Sequence, residues 1–366
     1  EICRQYVDVF YHGDISSLQS VEGAVVDVSF KPLEVDSPKQ QSQLVSLLTA
    51  CLCSVRAGPG DIPNRPEVLA KLLALATESD HVLTGTSAAK CLAGIVNKLS
   101  PGSELDESIE TCKSRLLAGL ESENSQVMAR HRALTCWIWL TKSLLLRSHP
   151  ACGPFAARLL CLFEDSELGS SAADGLDVIL RESAEVLSPD SHADIKLMYR
   201  QRLFLQLLPG IIEGYKTTSQ GLKKNYLQGL SHLLHFVPRQ VLLSELPPLM
   251  PLLVQSLRQE DSALYRSALE RLAALVRDAP AVLAQHLDSL LPELLRLAGY
   301  EPSMNVRIAA LKCICELVSL EHHIVFPHKM KVVRSLVPRL DDKKRNVRKE
   351  AVTARNAWLL LGSATK

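Results

Sequence analysis

Residues 346–358 read NVRKEAVTARNAW, and the same pattern occurs twice more upstream. Residues 305–317 read NVRIAALKCICEL, and residues 264–276 read LYRSALERLAALV. The three segments align on an arginine at positions 266, 307 and 348, a constant interval of 41 residues. An internal repeat of this length is typical of proteins built from helical hairpins.

Within each segment the apolar residues follow the spacing i, i+4, i+7, i+11, which places them on one face of an α-helix. These positions hold Tyr265, Leu269, Leu272, Val276; Val306, Ala310, Cys313, Leu317; and Val347, Ala351, Ala354, Trp358. A second apolar segment precedes each one, as in DSLLPELLRLAG. Each period therefore predicts two antiparallel helices. A single hairpin cannot bury its own apolar face, so neighbouring hairpins must stack into a solenoid.

The predicted fold class is accordingly all-α, a HEAT/armadillo-type α-solenoid of about seven helical hairpins over residues 37–366. The clearest repeats are 201–242, 243–284, 285–325 and 326–366, and looser ones occupy Glu67–Lys98, Leu105–Leu146 and Pro154–Leu187. Residues 1–36 contain Gly, Ser and Pro breakers and predict an irregular segment.

The composition excludes little about function. A chain of 366 residues with a formal charge of +1 has no overall attraction to nucleic acid or to an anionic membrane, although a local patch could have one. Charged residues and prolines interrupt the apolar runs, so no transmembrane helix is expected. The chain begins EICRQ without a Met or a signal-peptide pattern, which favours a fragment of a longer protein.

The ten cysteines are interpreted as reduced core thiols, because they are irregularly spaced within helical segments. In Cys51-x-Cys53 and Cys313-x-Cys315, two helix positions apart, the thiols point about 200° away from each other and cannot share a metal ion. Trp137 and Trp139 have the same spacing, so at most one of them is expected in the core.

An acidic residue recurs six positions before each repeat arginine. If the repeats stack in register, Arg307 lies near Asp342 or Glu260 of a neighbouring repeat, and a ladder of ion pairs follows one edge of the array. Direct contact with a partner is the alternative role for these positions. The predicted ladder consists of Glu260, Arg266, Glu301, Arg307, Asp342 and Arg348.

The last repeat departs from the pattern by additional cations. We predict that the partner-binding residues are Lys343, Lys344, Arg345, Lys349 and Arg355, which lie off the apolar stripe. Three interpretations remain open: a solvated face that keeps the terminal repeat soluble, a site for an acidic protein, or a site for nucleic acid or a nuclear address.

No motif for catalysis is present. The sequence lacks a phosphate-binding glycine loop, a Gly-x-Ser-x-Gly elbow and a His-Glu-x-x-His helix, and the histidine groups lack a third ligand at a fixed spacing. The sequence therefore predicts a protein that is not an enzyme and that holds neither a metal nor a cofactor.

Several stretches resemble the C-terminal HEAT-repeat domain of the MMS-nineteen family: AAKCLAGIVNK (88–98), TKSLLLRSHP (141–150), AADGLDVIL (172–180), KNYLQGLSHLL (224–234), MNVRIAALKC (304–313) and LDDKKRNVRKEAVTAR (340–355). The resemblance covers most of residues 88–366. It implies an adaptor of the cytosolic iron–sulfur assembly (CIA) targeting complex, present in cytoplasm and nucleus.

The expected partners are a small cluster-assembly subunit, docked by the C-terminal repeats, the WD-repeat propeller that this subunit contacts, and client apo-proteins such as helicases and polymerases of DNA metabolism. Two other functions remain open for the repeat array itself: a nuclear transport receptor-like HEAT protein, and a DNA-repair or transcription scaffold that contacts DNA directly.

Overall fold

The structure, a computed structural model, describes residues 38–54, 65–121 and 127–362, and the predicted irregular segment 1–36 lies outside them. The described residues form α-helices, short 3₁₀ turns and loops, without a β-strand. The helices are α1 Pro38–Ser54, α2 Arg65–Glu78, α3 Val82–Lys98, α4 Ser103–Glu121, α5 Val127–Leu146, α6 Cys152–Cys161, α7 Gly169–Leu180, α8 Tyr199–Thr217, α9 Lys223–Phe236, α10 Arg239–Ser256, α11 Ser262–Asp278, α12 Pro280–Gln285, α13 Leu287–Leu297, α14 Met304–Glu316, α15 His322–Val325, α16 Lys329–Ser335 and α17 Arg345–Leu360.

The chain divides into two compact units, residues 1–210 and 211–366, and helix α8 crosses the boundary. In chain order fourteen of the described helices form seven successive pairs, α2/α3, α4/α5, α6/α7, α8/α9, α10/α11, α13/α14 and α16/α17, while α1, α12 and α15 stand outside these pairs. The all-α HEAT-type solenoid predicted from the 41-residue period is confirmed.

In the first unit, one row of helices runs α1, α3, α5, α7, each packed against the next, while α2 and α4 cover α3 and α5 from the other layer. Helix α5 is enclosed by neighbours in both layers. Trp137 and Trp139 are accordingly both buried, with 1% and 8% of their surface exposed, so the expectation that at most one lies in the core was wrong. The spacing argument fails because both sides of α5 face protein.

Each tryptophan has its own partners. Trp137 stacks on Phe155 with ring centroids 4.1 Å apart, and its Nε1–H donates a hydrogen bond of 3.0 Å to the Phe155 carbonyl. The ring of Trp139 lies 5.4 Å from Lys90 Nζ and 5.1 Å from Lys142 Nζ, within the range of cation–π attraction. Lys142 also donates 3.0 and 2.6 Å hydrogen bonds to the Val178 and Arg181 carbonyls at the end of α7.

After α7, residues 181–198 form an irregular segment, called the strap here. The hairpin predicted from the sequence extended to Leu187. The side chain of Asn97, fully buried on α3, forms hydrogen bonds with the backbone of this strap. Its Nδ2 donates to the Asp194 carbonyl at 3.1 Å, and the Asp194 N–H donates to Asn97 Oδ1 at 2.7 Å. The strap thus satisfies a buried amide that would otherwise destabilise the interior of the unit.

The second unit repeats the two-layer arrangement. Helices α9, α11, α14 and α17 pack in sequence as one row, with α10, α13 and α16 against α11, α14 and α17 respectively. All twelve positions of the predicted apolar stripe are buried. Trp358, fully buried at the end of the stripe, donates its Nε1–H to the Ile314 carbonyl of the preceding repeat at 2.8 Å. One side chain thereby ties α17 to α14.

Candidate interaction surface of the terminal repeat

A buried ion pair joins the last two repeats. Arg307 Nε lies 3.0 Å from Asp342 Oδ2, and the two side chains are only 8% and 11% exposed. Asp342 Oδ1 meanwhile accepts the Lys344 backbone N–H at 2.8 Å, immediately before α17 begins at Arg345. The same carboxylate therefore fixes the start of one helix and binds the arginine of the helix before it.

At two further junctions, one oxygen of an aspartate likewise pairs with a Lys or Arg side chain while the other oxygen accepts backbone N–H groups. At the first, Lys224 Nζ lies 2.7 Å from Asp261 Oδ2, while Asp261 Oδ1 caps α11 by accepting the Ala263 and Leu264 N–H groups. At the second, Arg130 pairs with Asp165 Oδ2, and Asp165 Oδ1 accepts the N–H groups of Glu167 and Leu168.

These contacts change the acidity of both aspartates. Burial raises the pKa of Asp261, but the hydrogen bond from Lys224, the helix-cap bonds and the Lys224 charge outweigh it and lower the pKa below 3.8. For Asp165 burial is likewise outweighed, by the cap hydrogen bonds and by Arg130, and its pKa is also lowered. Both carboxylates are thus held in their charged form.

The other residues of the sequence-predicted ladder occupy different environments. Glu260 and Glu301 are exposed at the surface, and Arg266 is also exposed, 3.7 Å from Glu270 of its own helix. The N-cap of α14, the next helix in the row after α11, is the Ser303 hydroxyl and not a carboxylate. Arg266 of α11 therefore has no counterpart at this cap of the Asp342 carboxylate that pairs with Arg307.

The junction acids Asp165 and Asp261 were not singled out in the sequence. Spacing from the repeat arginine selects a residue six positions earlier, whereas Asp165 and Asp261 are aspartates whose Oδ1 accepts backbone N–H groups just before or at the start of a helix. An aspartate one to four positions before a helical run is the signal that could have located them.

The predicted partner-binding cations lie on the terminal repeat. Lys343, Lys344, Arg345 and Lys349 are exposed around the first turn of α17, and Arg355, further along the helix, is half-buried. Residues 329–355 contain ten Lys and Arg but only three Asp and Glu, although the whole chain carries a charge of only +1. The four exposed residues are called the turn cations below.

Apolar side chains are exposed on the same repeat. Phe326 and Met330 show 48% and 54% of their surface, and on α17 Val352 and Leu359 show 46% and 40%. A surface that combines cations with exposed aliphatic and aromatic groups suits a protein partner better than a polyphosphate, because phosphate groups cannot cover apolar side chains.

Most of the described thiols are buried, and burial keeps several of them protonated. Burial raises the pKa of Cys112 to about 11 and those of Cys152 and Cys313 to about 12. No group of three or more His, Cys, Asp or Glu side chains that could hold a metal ion occurs among residues 38–54, 65–121 and 127–362. Within the same ranges, none of the helices combines the length and the apolarity needed to cross a bilayer.

Comparison with known proteins identifies close relatives. Residues 1–318 match the family described as "RNAPII transcription regulator C-terminal", the MMS19 C-terminal family. The MMS19 nucleotide excision repair protein homolog of Xenopus laevis is 40% identical over 360 residues, which cover 98% of this chain and 34% of the relative. The human homolog is 40% identical over 357 residues, with the same shares.

A more distant relative, the DNA repair/transcription protein mms19 of Schizosaccharomyces pombe, is 28% identical over 284 residues, or 75% of this chain and 27% of the relative. The chain therefore spans about a third of the length of the curated vertebrate relatives that it matches.

Among solved structures, that of Kap121p bound to RanGTP superposes with a TM-score of 0.54 at 15% identity, over 87% of this chain and 29% of that chain. Similarity at this level of identity supports the helical-repeat fold alone. The sequence relationships are far stronger, and they show that this chain belongs to the MMS19 family, whose curated members are named for nucleotide excision repair and transcription.

Proposed function

We propose that this chain is the docking region of an adaptor in the cytosolic iron–sulfur assembly targeting complex, acting as a scaffold rather than as an enzyme. Its terminal repeats bind the small cluster-assembly subunit, and through it the WD-repeat propeller. The complete adaptor presents these components to client apo-proteins, including helicases and polymerases of DNA repair and replication, in cytoplasm and nucleus.

The observation that carries this proposal is the group of turn cations. Lys343, Lys344, Arg345 and Lys349 are exposed side by side on the terminal repeat, and none of them is needed to bury the apolar stripe of α17. Charge of one sign concentrated on a nearly neutral chain provides electrostatic complementarity to an acidic protein surface, which raises association rates and selects partners. Family membership and the HEAT-type fold support the scaffold role.

In the proposed mechanism, the adaptor binds the assembly subunits and a client protein at the same time. One surface of the adaptor holds the assembly subunits while another holds the client, so that the second encounter becomes intramolecular and its effective concentration rises to about millimolar. The raised thiol pKa values of Cys112, Cys152 and Cys313 agree with a protein that positions cluster-bearing partners without ligating the cluster itself.

Co-purification with the small cluster-assembly subunit tests the proposal. We expect the triple reversal Lys343→Glu, Lys344→Glu, Arg345→Glu to abolish co-purification and to leave the helical circular dichroism unchanged. A matched control reverses Arg266, Arg277 and Lys312, which are exposed on α11 and α14 and produce the same change in net charge. Retention of the subunit by the triple variant, or equal loss in the control, would refute the docking site.

The two rival functions give different results in the same preparations. A DNA scaffold would shift duplex DNA with an affinity that falls steeply as salt rises, and the triple reversal would remove the shift. A transport receptor would bind a nuclear-transport GTPase in a nucleotide-dependent way. We expect neither behaviour.

A further inference from the structure

Helices α1 and α3 of the first unit lie side by side with two thiols between them. The hydroxyls of Ser46 on α1 and Ser87 on α3 form a hydrogen bond of 3.0 Å. Further along both helices, Cys53 Sγ lies so close to Gly94 that a Cβ at position 94 would collide with it. Both contacts join residues 41 positions apart (87 − 46 and 94 − 53), so the two helices run parallel and in register.

The side chain of Cys53 lies over one face of α3. Cys91, Gly94 and Lys98 follow the spacing i, i+3, i+7 on that helix, and each of them contacts this cysteine. The thiols of Cys53 and Cys91 are hydrogen-bonded to each other, and Lys98 Nζ donates to the Cys53 carbonyl. The two cysteines are only 1% and 0% exposed and Lys98 is 6% exposed. Two thiols and an ammonium group are thus held together in an interface that is almost closed to water.

The two thiols differ in acidity. The hydrogen bond from Cys91 and the charge of Lys98 lower the pKa of Cys53 against the opposing effect of burial. The hydrogen bond to Cys53 and then burial raise the pKa of Cys91. Cys53 therefore reaches the thiolate form more readily, while Cys91 keeps its proton. In thiol oxidation the thiolate is the nucleophile, and a second thiol beside it resolves the first product to a disulfide.

We propose that Cys53 and Cys91 form a site of reversible oxidation, at which a hydroperoxide converts the two thiols into a disulfide between α1 and α3. With hydrogen peroxide, the Cys53 sulfur attacks one oxygen and the O–O bond breaks. Cys53 becomes a sulfenic acid, and the other oxygen leaves as water with the Cys53 proton. The Cys91 sulfur then attacks the sulfenic sulfur, the S–O bond breaks, and the hydroxyl leaves as water with the Cys91 proton.

The balance of the reaction is complete. The two thiols together lose two electrons and two protons, and one molecule of hydrogen peroxide becomes two molecules of water. Because both thiols are buried, the oxidant reaches Cys53 during local openings of the interface between α1 and α3. The contact with Cys91 then makes the second step intramolecular, which favours the disulfide over further oxidation to a sulfinic acid. This site is separate from the turn cations and does not depend on the partner named under Proposed function.

A second pair of thiols in the same unit provides an internal comparison. Cys112 of α4 and Cys136 of α5 are both buried and lie near each other, and they are called the control pair here. Burial raises the pKa of Cys112 to about 11, and burial and then Cys112 raise the pKa of Cys136. Neither thiol of the control pair is thus favoured as a thiolate, and we expect this pair to stay reduced.

Mass spectrometry of the oxidised chain tests the proposal. The folded chain is incubated with hydrogen peroxide at neutral pH, its free thiols are blocked with N-ethylmaleimide in urea, and it is digested without reduction. We expect two peptides joined through Cys53 and Cys91, which dithiothreitol separates, and a control pair that carries N-ethylmaleimide. Cys53→Ser should abolish the cross-link. Cys91→Ser should leave Cys53 as a sulfenic acid that dimedone traps.

Two further measurements examine the role of the surroundings. Lys98→Met removes the ammonium group and should slow cross-linking severalfold at neutral pH, with circular dichroism as the check that the variant is folded. In the unsubstituted chain the disulfide holds α1 on α3, so amide hydrogen exchange across α1 should slow about tenfold on oxidation and recover on reduction.

The contrary results are equally specific. Absence of the cross-link at a peroxide concentration that fully oxidises the exposed Cys161 would remove the site. An equal yield of disulfide in the control pair would show that proximity alone drives the reaction. An unchanged rate in the folded Lys98→Met chain, or no dimedone adduct on Cys53 in the Cys91→Ser chain, would overturn the assignment of Cys53 as the attacking thiol.

Discussion

Arg307 and Asp342 are 35 positions apart in the chain, yet Nε of the one lies 3.0 Å from Oδ2 of the other with both side chains almost completely removed from solvent. Because Asp342 Oδ1 also accepts the Lys344 N–H at 2.8 Å, a single carboxylate binds both the backbone just before α17 and an arginine of α14. The stability of the terminal repeat should therefore depend on this pair far more than on the exposed cations nearby.

Removal of that carboxylate is the first test. Asp342→Ala leaves Arg307 buried without its counter-ion and removes the hydrogen bond to the Lys344 N–H, so we expect a loss of about 3–5 kcal/mol in the free energy of unfolding. Urea unfolding followed by circular dichroism measures it. Glu260→Ala, at the equivalent but exposed position of an earlier repeat, should change stability by less than about 0.5 kcal/mol. Similar effects of the two substitutions would contradict the buried junction.

Trp358 should contribute to stability mainly through packing. Trp358→Ala removes a fully buried side chain and its hydrogen bond to Ile314, and about 3–5 kcal/mol should be lost. Trp358→Phe keeps most of the volume and should cost less. Hydrogen exchange should speed up across α17 in the alanine variant, whereas Asn356→Ala, exposed on the same helix, should leave it unchanged. An unaltered exchange pattern in the alanine variant would place Trp358 outside the core.

Acid should weaken the junctions at Asp165 and Asp261. Both pKa values are lowered from 3.8 in the folded state, so at a given acidic pH the unfolded chain binds more protons. The stability that these groups contribute is fully present above about pH 4 and is lost as the pH falls through their folded pKa values. In urea titrations between pH 2 and 6, Asp261→Asn should flatten this dependence, while Glu301→Gln should not. Equal pH profiles for wild type and Asp261→Asn would rule out the contribution.

Thiol reactivity should follow exposure. Cys161 is exposed, whereas Cys91, Cys136 and Cys313 are buried. The hydrogen bond with Cys53 and then burial raise the pKa of Cys91, and burial raises the pKa of Cys136 and Cys313, so the thiolate fraction of these three at pH 7.5 is negligible. A maleimide pulse read by peptide mass spectrometry should label Cys161 within minutes and these three only after unfolding in urea. Cys161→Ser should remove the fast phase. Rapid labelling of Cys313 in the folded chain would show that the stripe of α14 opens.

Much of the second unit could be predicted from the sequence, because the buried face of a helix is recorded in local spacing. The stripes ending at Val276, Leu317 and Trp358 are all buried, as the 41-residue period predicts. The turn cations could be selected in the same way, since they lie off the stripe and are additional to the charges that recur at the repeat period. Their proposed partner rests on the family resemblance and not on any spacing.

The first unit was less predictable where helices have neighbours on more than one side. Trp139 is buried although its spacing from Trp137 places the two on opposite sides of α5, because α5 is enclosed in both layers. The strap of residues 181–198 left no periodic signal, since its backbone is held by individual hydrogen bonds, such as those of Asn97 and Lys142, and not by a regular apolar face.

By itself, the sequence determined the repeat length, the all-α class, the apolar face of each repeat helix and the excess of cations in the last repeat. These are local properties, set by the 3.6-residue turn and by the composition of short segments. Only the tertiary structure decided between the two expected partners of Arg307, in favour of Asp342 over Glu260. It also decided that Asp261, which the spacing did not select, pairs with Lys224. The reason is geometric: spacing along the chain selects Asp342 and Glu260 alike, and only the path of the backbone before each helix decides which carboxylate faces the preceding helix and which faces solvent.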